Sequence, residues 1–325
     1  KEIALLKKGL SDVDRQQAYL TRTKEIPIVM QDTEGRPVTH PKNRGEMLRA
    51  VDRIQWEDAE YTEIMKNQDN KTLELTEKSF EQLISEGYEI IGTIFAYSVK
   101  SVLRDGSMIC TERRARLCAN GNEQVDSYDL ITYAATPQLS LIRFMATAAI
   151  QFGVNPQQAD VSAAFQIPVI PKETKIAVKT PRGRSFDGLS RAILKKGMQG
   201  LKQASKIWGE EFHQEILSLD SRLKFSIKAG KCLYAMWGPD RKQVKLILIR
   251  FVDDLVGFSS DNNKTLDRLF SALNDKFPLK ILGDMKKVLG IEVEYGHDCI
   301  LLRQQKNILH CMEEFMVDEL VKRVP

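Results

Sequence analysis

Apolar and polar positions alternate from Ile90 to Val102, a run rich in β-branched and aromatic residues, and a second such run extends from Met108 to Leu117. Arg104-Asp105-Gly106-Ser107 supplies a turn between them, so the two runs predict a β-hairpin whose strands carry Lys100, Arg113, Arg114 and Arg116. Upstream, Met47, Val51 and Ile54 keep helical spacing; Asp58 follows on that face, and Trp56, Ala59 and Tyr61 keep the segment partly apolar. Leu139 to Phe152 is apolar nearly all round, interrupted by Arg143 and Gln151, which predicts a helix buried beneath a sheet. Ala177 to Lys179 reads as a short strand ahead of a Pro181-Arg182-Gly183 turn. Ala204, Ile207, Trp208, Phe212, Ile216 and Leu219 then recur at spacings of mostly three and four, giving a helix with one apolar face.

Lys245 to Val252 is a largely apolar strand, Asp253-Asp254 a polar corner and Leu255 to Ser259 a second strand, so carboxylates sit at the tip of a hairpin. A further helix carries Leu266, Leu269, Phe270, Leu273 and Phe277. Strands interspersed with one-faced helices indicate the α+β class. Lys1 to about Gly45 mixes helix-like pieces with turn signals at Asp32-Thr33-Glu34-Gly35 and His40-Pro41, and no chemistry can be assigned to it.

Composition narrows the class. A chain of 325 residues, 42% hydrophobic and 28% charged, can bury a sizeable core. Its longest apolar runs fall well short of the roughly 20 residues a membrane span needs, so no membrane partner is expected. The five cysteines are odd in number and irregularly spaced, which favours a reducing compartment, cytoplasmic or nuclear, over a secreted disulfide framework. His297 with Cys299 and His310 with Cys311 lack the spacing of zinc sites. Lys1 opens the chain without an initiator Met or a secretory signal, so the sequence reads as part of something longer. Net charge is only +4, but Pro171 to Lys206 holds ten basic residues against two acidic ones. Such a run is a solvated surface by default and a phosphate-binding groove in the sharper reading.

Two acidic sites stand beside apolar sequence: Asp160, followed by Val161-Ser162-Ala163-Ala164-Phe165, and Asp253-Asp254 after Phe251-Val252. Carboxylates at the ends of buried strands lose solvation, and a divalent cation is the natural compensation. Asp-Asp is also a common turn dipeptide and a lone Asp a common helix cap, so neither site alone selects a function. Between them lies Gly197-Met198-Gln199-Gly200-Leu201-Lys202-Gln203-Ala204, a glycine-punctuated basic turn where backbone can approach a nucleotide.

In order along the chain, DVSAAF, GLKQASKIW, FVDDLVGF and FPLKILGD with LGIEVEY resemble the successive palm motifs of copia-type reverse transcriptases. RRARLCANGNEQ resembles the fingers segment of that family, and Trp56, Ala59 and Glu63 its leading helix. The resemblance runs from about Trp56 to the end of the chain and is specific in its order. Three positions depart from the family pattern: Ser205 stands where Pro is usual, Cys118 and Asn120 alter a VAKG-like stretch, and Gly230 replaces a frequent Asp. None is one of the carboxylates.

The resemblance implies a right-hand polymerase with fingers (residues 56–139 and 169–199), a palm with an antiparallel sheet backed by helices (140–168 and 200–295) and the start of a thumb (296–325), behind an extension, 1–55, of unknown role. It implies RNA-directed DNA polymerase activity with Asp160 and Asp253 as metal ligands, Asp254 assisting, and two Mg²⁺ ions, Mn²⁺ being an alternative, about 3.5 to 4 Å apart. Phe165 is then the gate that selects deoxynucleotides. Arg116 and Lys100 contact the triphosphate, Gln199 and Gly200 line the nucleotide pocket, and Lys202, Leu289 and Gly290 meet template or primer, with Ile291 completing the primer-grip turn. The implied partners are an RNA template, a DNA primer, deoxynucleoside triphosphates and the ribonuclease H and integrase domains of a Pol polyprotein that serves DNA integration. A cytoplasmic virus-like particle or the nucleus is the implied location. The competing classes are an inactive retroelement remnant, a nucleic-acid-binding module, and a metal-dependent nuclease, which leaves the GLKQA helix and Phe165 unexplained.

Overall fold

The structure, a computed structural model, describes residues 28–104, 107–125, 137–240, 242–304 and residue 308. These fall into two compact units, the first drawing on Lys1–Gln124 and Glu173–Lys195, the second on Val125–Lys172 and Lys196–Pro325. The class is α+β, as the element pattern predicts. No helix among the described residues is long and apolar enough to cross a membrane.

The first unit begins with β1 (Ile28–Asp32), β2 (Pro37–Thr39), α1 (Arg44–Met47), α2 (Arg53–Asp69), β3 (Leu73–Leu75), α3 (Phe80–Ser85), β4 (Glu89–Arg104) and β5 (Ser107–Ala119). The chain then contributes α4 (Ser140–Phe152) and β6 (Gln157–Val161) to the second unit before returning with β7 (Ile176–Lys179) and β8 (Arg191–Leu194). Seven strands form one sheet in the order β2-β1-β5-β4-β7-β8-β3. Residues 28–39 are thus sheet strands of this unit. The N-terminal stretch before Ile28 and the hairpin tip at Asp105-Gly106 lie outside the described residues.

The long β4–β5 hairpin is the one the alternation predicts, with Phe95 opposite Leu117 and Tyr97 opposite Ala115 on its buried face. That face meets α2, where the Trp56 and Tyr97 rings pack edge to face at 5.4 Å. The start and buried face of α2 differ from expectation. The helix begins at Arg53 and buries Trp56, Glu60, Ile64 and Asn67, whereas Val51 and Ile54 are about two-thirds exposed (68% and 70%). Polar contacts override the apolar spacing here. The Asp52 carboxylate accepts from the Thr39 backbone N–H and from Arg113 Nε, which holds the chain in a turn just ahead of the helix. Fully buried Glu60 accepts from the Arg44 and Arg184 Nε atoms and from the Tyr97 hydroxyl. A buried carboxylate is tolerable only with such partners.

The second unit continues with α5 (Ala204–Leu219), β9 (Leu223–Phe225), β10 (Leu233–Trp237), β11 (Val244–Phe251), β12 (Asp254–Ser259), α6 (Lys264–Asn274), β13 (Leu279–Asp284), β14 (Lys287–Val288), β15 (Ile291–Tyr295) and β16 (Ile300–Arg303). Six strands form an antiparallel sheet, β13-β6-β12-β11-β10-β9, and β14 to β16 form a small separate one. Trp208, Phe212 and Ile216 of α5 and Leu266, Phe270 and Leu273 of α6 cover one face through Ala159, Val161, Leu246, Leu248 and Leu255. Ile142, Met145 and Ala149 of α4 join Ile247, Ile249, Phe251, Val256 and Phe258 on the other. Burial on both faces is why β11 reads as an unbroken apolar run rather than an alternation. Each fully buried large side chain there contributes about 1.5–3 kcal/mol. The helix α4 is less buried than its composition predicts: Phe144 and Leu139 are 46% exposed, because α4 covers the sheet with one face only.

Candidate active site

The carboxylates are placed by the period of the strands. Along β6, Ala159 and Val161 point into the helix-covered core, so Gln158 and Asp160 project from the opposite face. Along β12, Leu255 enters that same core and Asp254 faces away with Val256. In the register of the sheet, Asp254 is the direct partner of Asp160, and on the other flank of β6 the partner of Asp160 is Lys280 of β13. Directly opposed residues bring their Cβ atoms within about 5 Å of one another, so one row across three strands reads Asp254, Asp160, Lys280. The exposed Lys280 was missed in the sequence, although Leu279, packed under the helices, sets the alternation that aims its neighbour to the carboxylate face.

Asp253 arrives by a different route. Phe251 pairs with Asp254, leaving Val252 and Asp253 as a two-residue turn between β11 and β12. Val252 has φ +59, a left-handed conformation that costs a β-branched residue about 1–3 kcal/mol. The surroundings hold it there. The Trp208 indole Nε1–H donates to the Val252 carbonyl at 2.6 Å, and Arg250 Nη1 approaches the same oxygen at 3.4 Å. The Asp253 carbonyl accepts from the Val161 N–H at 2.9 Å, tying the turn to the strand that carries Asp160.

The three acids differ in exposure: Asp253 is exposed, Asp160 and Asp254 half-buried. Burial pushes the Asp254 carboxyl above its ordinary range; the amide of Gln158, 3.2 Å away, opposes this, and the charges of Asp253 and Asp160 add to it. Among the described residues Asp253 and Asp254 form no ion pair with Lys or Arg. Also among the described residues, no three His, Cys, Asp or Glu side chains form a group placed to hold a metal ion by themselves. Asp160 and Asp254 lie side by side on two inner strands of the sheet, next to the turn that carries Asp253.

Phe165 lies in a short 3-10 turn, Ala164–Gln166, just after β6 and packs half-buried on the helix-side core. Its backbone is pinned by Gly197: a Cβ at that position would overlap the Phe165 carbonyl oxygen, and the Gly197 N–H donates to the Pro168 carbonyl at 2.9 Å. The structure thereby brings the Phe165 turn and the Gly197–Gly200 loop together. Met198 and Leu201 anchor the loop in the core, with Gln199 half-buried, Gly200 exposed at φ +90 and Lys202 half-buried. Leu289 and Gly290, both at positive φ, form the two-residue turn between β14 and β15, with Leu289 exposed and Ile291 buried.

Arg116 and Lys100 belong to the first unit. Arg116 pairs with Ala96 and Lys100 with Glu112, so both cations are exposed on the hairpin face turned away from α2, four residues apart along β4. His297 and Cys299 are exposed in the segment joining β15 to β16, and His310 and Cys311 lie outside the described residues.

The sequence profile of the reverse transcriptase (RNA-dependent DNA polymerase) family matches residues 84–325. The chain belongs to this family. The reverse transcriptase match spans every candidate residue above, from Lys100 to Gly290, and it starts downstream of Trp56, Ala59 and Glu63. Members of this family are nucleotidyltransferases that polymerise DNA on an RNA template. Among solved structures, the chain is similar to a foamy viral protease-reverse transcriptase in complex with double-stranded DNA, at 14% identity and a TM-score of 0.33. The similarity covers 65% of this chain and 31% of the viral one.

Proposed function

We propose that this chain is the polymerase segment of a copia-type retrotransposon Pol polyprotein and extends a DNA primer on an RNA template from deoxynucleoside triphosphates. The observation that carries the reading is the register that sets Asp254 beside Asp160 next to the turn bearing Asp253. These acids suit a divalent ion: they are hard oxygen donors close to one another, Asp254 partly desolvated, and Mg²⁺ takes few protein carboxylates and draws its other ligands from phosphates and water. Asp160 and Asp253 would hold two Mg²⁺ or Mn²⁺ ions, with Asp254 assisting. Ions bound there would supply Lewis-acid activation of the primer 3′ hydroxyl and charge neutralisation at the departing pyrophosphate.

The other residues position substrate. The ring of Phe165 closes the sugar side of the pocket and excludes a 2′ hydroxyl, while the loop at Gln199 and Gly200 admits the nucleotide close to backbone. Arg116, a rigid bidentate donor, and Lys100 bind the triphosphate. Lys202 and the Leu289-Gly290 turn meet template and primer. In this reading residues 56–139 and 169–199 are the fingers, 140–168 and 200–295 the palm and 296–325 the beginning of a thumb, most of which lies outside the described residues. Residues 28–55 then serve the fingers as sheet strands and the Arg44–Glu60 contact. Ribonuclease H and integrase domains of the same polyprotein are the expected neighbours, in a cytoplasmic virus-like particle or the nucleus.

The test is Mg²⁺-dependent incorporation on a primed RNA template, comparing the parent with Asp253→Asn and offering ribonucleotides as a control. Deoxynucleotide incorporation that the substitution abolishes is the expected result. Template binding by a parent that incorporates nothing would replace the proposal with an inactive remnant or a binding module.

A further inference from the structure

We propose that Trp208 is a positioning residue for the polymerase reaction: its indole N–H fixes the left-handed Val252 turn and so sets where Asp253 is presented. The inference rests on the reading of Asp253 as a metal-binding carboxylate. Three observations converge on it. Val252 adopts a positive φ at the first position of a two-residue hairpin turn, where glycine is the residue best suited. A branched side chain keeps such a conformation only when its surroundings over-determine it. The donor that does so comes from the interior: Trp208 is fully buried, and its ring is locked edge-on against Phe212 at 5.6 Å and Phe277 at 5.2 Å. A single rigid group on α5 thus reaches under the sheet and holds the backbone carbonyl immediately before the carboxylate.

Arg250 backs this contact more weakly. Its guanidinium is buried over the Phe212 ring, and its longer bond reaches the same carbonyl. Together the two donors give the turn one conformation. Small errors in the placement of a metal ligand are costly, because the ligand must lie within a fraction of an ångström of its productive position.

Trp208→Phe keeps an aromatic ring on Phe212 and Phe277 and deletes the donor. In the full chain, Mn²⁺ affinity measured by electron paramagnetic resonance should weaken about fivefold and kcat fall about tenfold, with KM for the deoxynucleotide held within about twofold. Amide exchange at Asp253 and Asp254 should quicken by about tenfold while exchange in the core of β11 stays unchanged. Adding Val252→Gly should restore most of the lost Mn²⁺ affinity, since glycine adopts the turn without a brace; a purely packing role for Trp208 would not be rescued in this way. Should Trp208→Phe fail to fold, β-(3-benzothienyl)alanine at position 208 replaces the N–H by sulfur in a ring of nearly the same shape. Unchanged Mn²⁺ affinity and amide exchange in the variant that folds overturn the proposal. Equal Mn²⁺ binding by the parent and Asp253→Asn overturns instead the metal reading of the site, and amide exchange then still reports on the brace.

Discussion

The two units treat buried acid in opposite ways. In the first, Glu60 is fully buried and meets Arg44, Arg184 and the Tyr97 hydroxyl, and Asp52 is buried against Arg113 and Thr39. In the second, Asp254 is half-buried beside two other carboxylates, its side-chain neighbour is the Gln158 amide, and its carboxyl is raised. Glu60 and Asp52 are neutralised by cations within their own unit, whereas among the described residues Asp253 and Asp254 form no ion pair with Lys or Arg, a setting that the proposed divalent cation would complete. Tyr97 shows the same logic from the donor side. Burial first, and then its bond to Glu60, push its hydroxyl far above the ordinary tyrosine range, so it remains a donor at any physiological pH.

This contrast can be broken most sharply at Asp253. Asp253→Asn is expected to lower incorporation by roughly 10³-fold or more, the several kcal/mol that metal-assisted charge stabilisation supplies, with the melting temperature unchanged. Primer-extension kinetics beside a thermal melt would show both. If stability falls as well, Asp253 is structural and the contrast fails. Glu60→Ala should behave the other way round. It leaves Arg44 and Arg184 without their carboxylate and should destabilise the protein by about 3 kcal/mol, the range seen when one partner of a buried pair is removed. Urea denaturation followed by circular dichroism would measure it, and a loss below about 1 kcal/mol would mean that the pair is solvent-screened.

A third test uses the cation itself. At ten times its half-saturating concentration, Mg²⁺ should stabilise the parent and Glu60→Gln alike by about 1.4 kcal/mol and leave Asp253→Asn nearly untouched. Equal stabilisation of all three would place the ion elsewhere. The smallest effect concerns pH. Because the folded-state pKa of Asp254 lies above its unfolded value, the folded chain binds this proton more tightly. The resulting stability is fully present below the unfolded pKa, near 3.9, and is lost as pH rises through the folded value. Asp254→Asn stays neutral throughout. Without metal it should therefore melt roughly 2 °C above the parent at pH 7, with the gain vanishing on acidification toward pH 4. A gain that persists at low pH would trace the effect to packing instead of charge.

Much of this was legible along the chain because it depends on local period. The hairpin of Ile90 to Leu117, the helix face of Trp208, Phe212 and Ile216, and the strand-corner-strand around Asp253-Asp254 follow from spacing that any solution of the core must respect. The proposed roles of Asp160 and Asp253-Asp254 rest on motif order, and the family match bears out the reverse transcriptase resemblance. What failed was the face of α2, where Val51 and Ile54 keep the right spacing and still lie in solvent, because buried Glu60 and its arginines, one of them 124 residues away, decide which side turns inward.

The sequence by itself determined which segments become strands and helices, which residues carry charge, and that two acidic sites flank a glycine-punctuated loop. Only the tertiary structure decided that Asp254 and Lys280 are the neighbours of Asp160, that Gly197 seats the Phe165 turn, and that Trp208 holds the carbonyl before Asp253. The physical reason is range. Period and turn chemistry act over a few residues, whereas register and hydrogen bonding between distant segments are fixed only when the core closes and every buried polar group must find a partner.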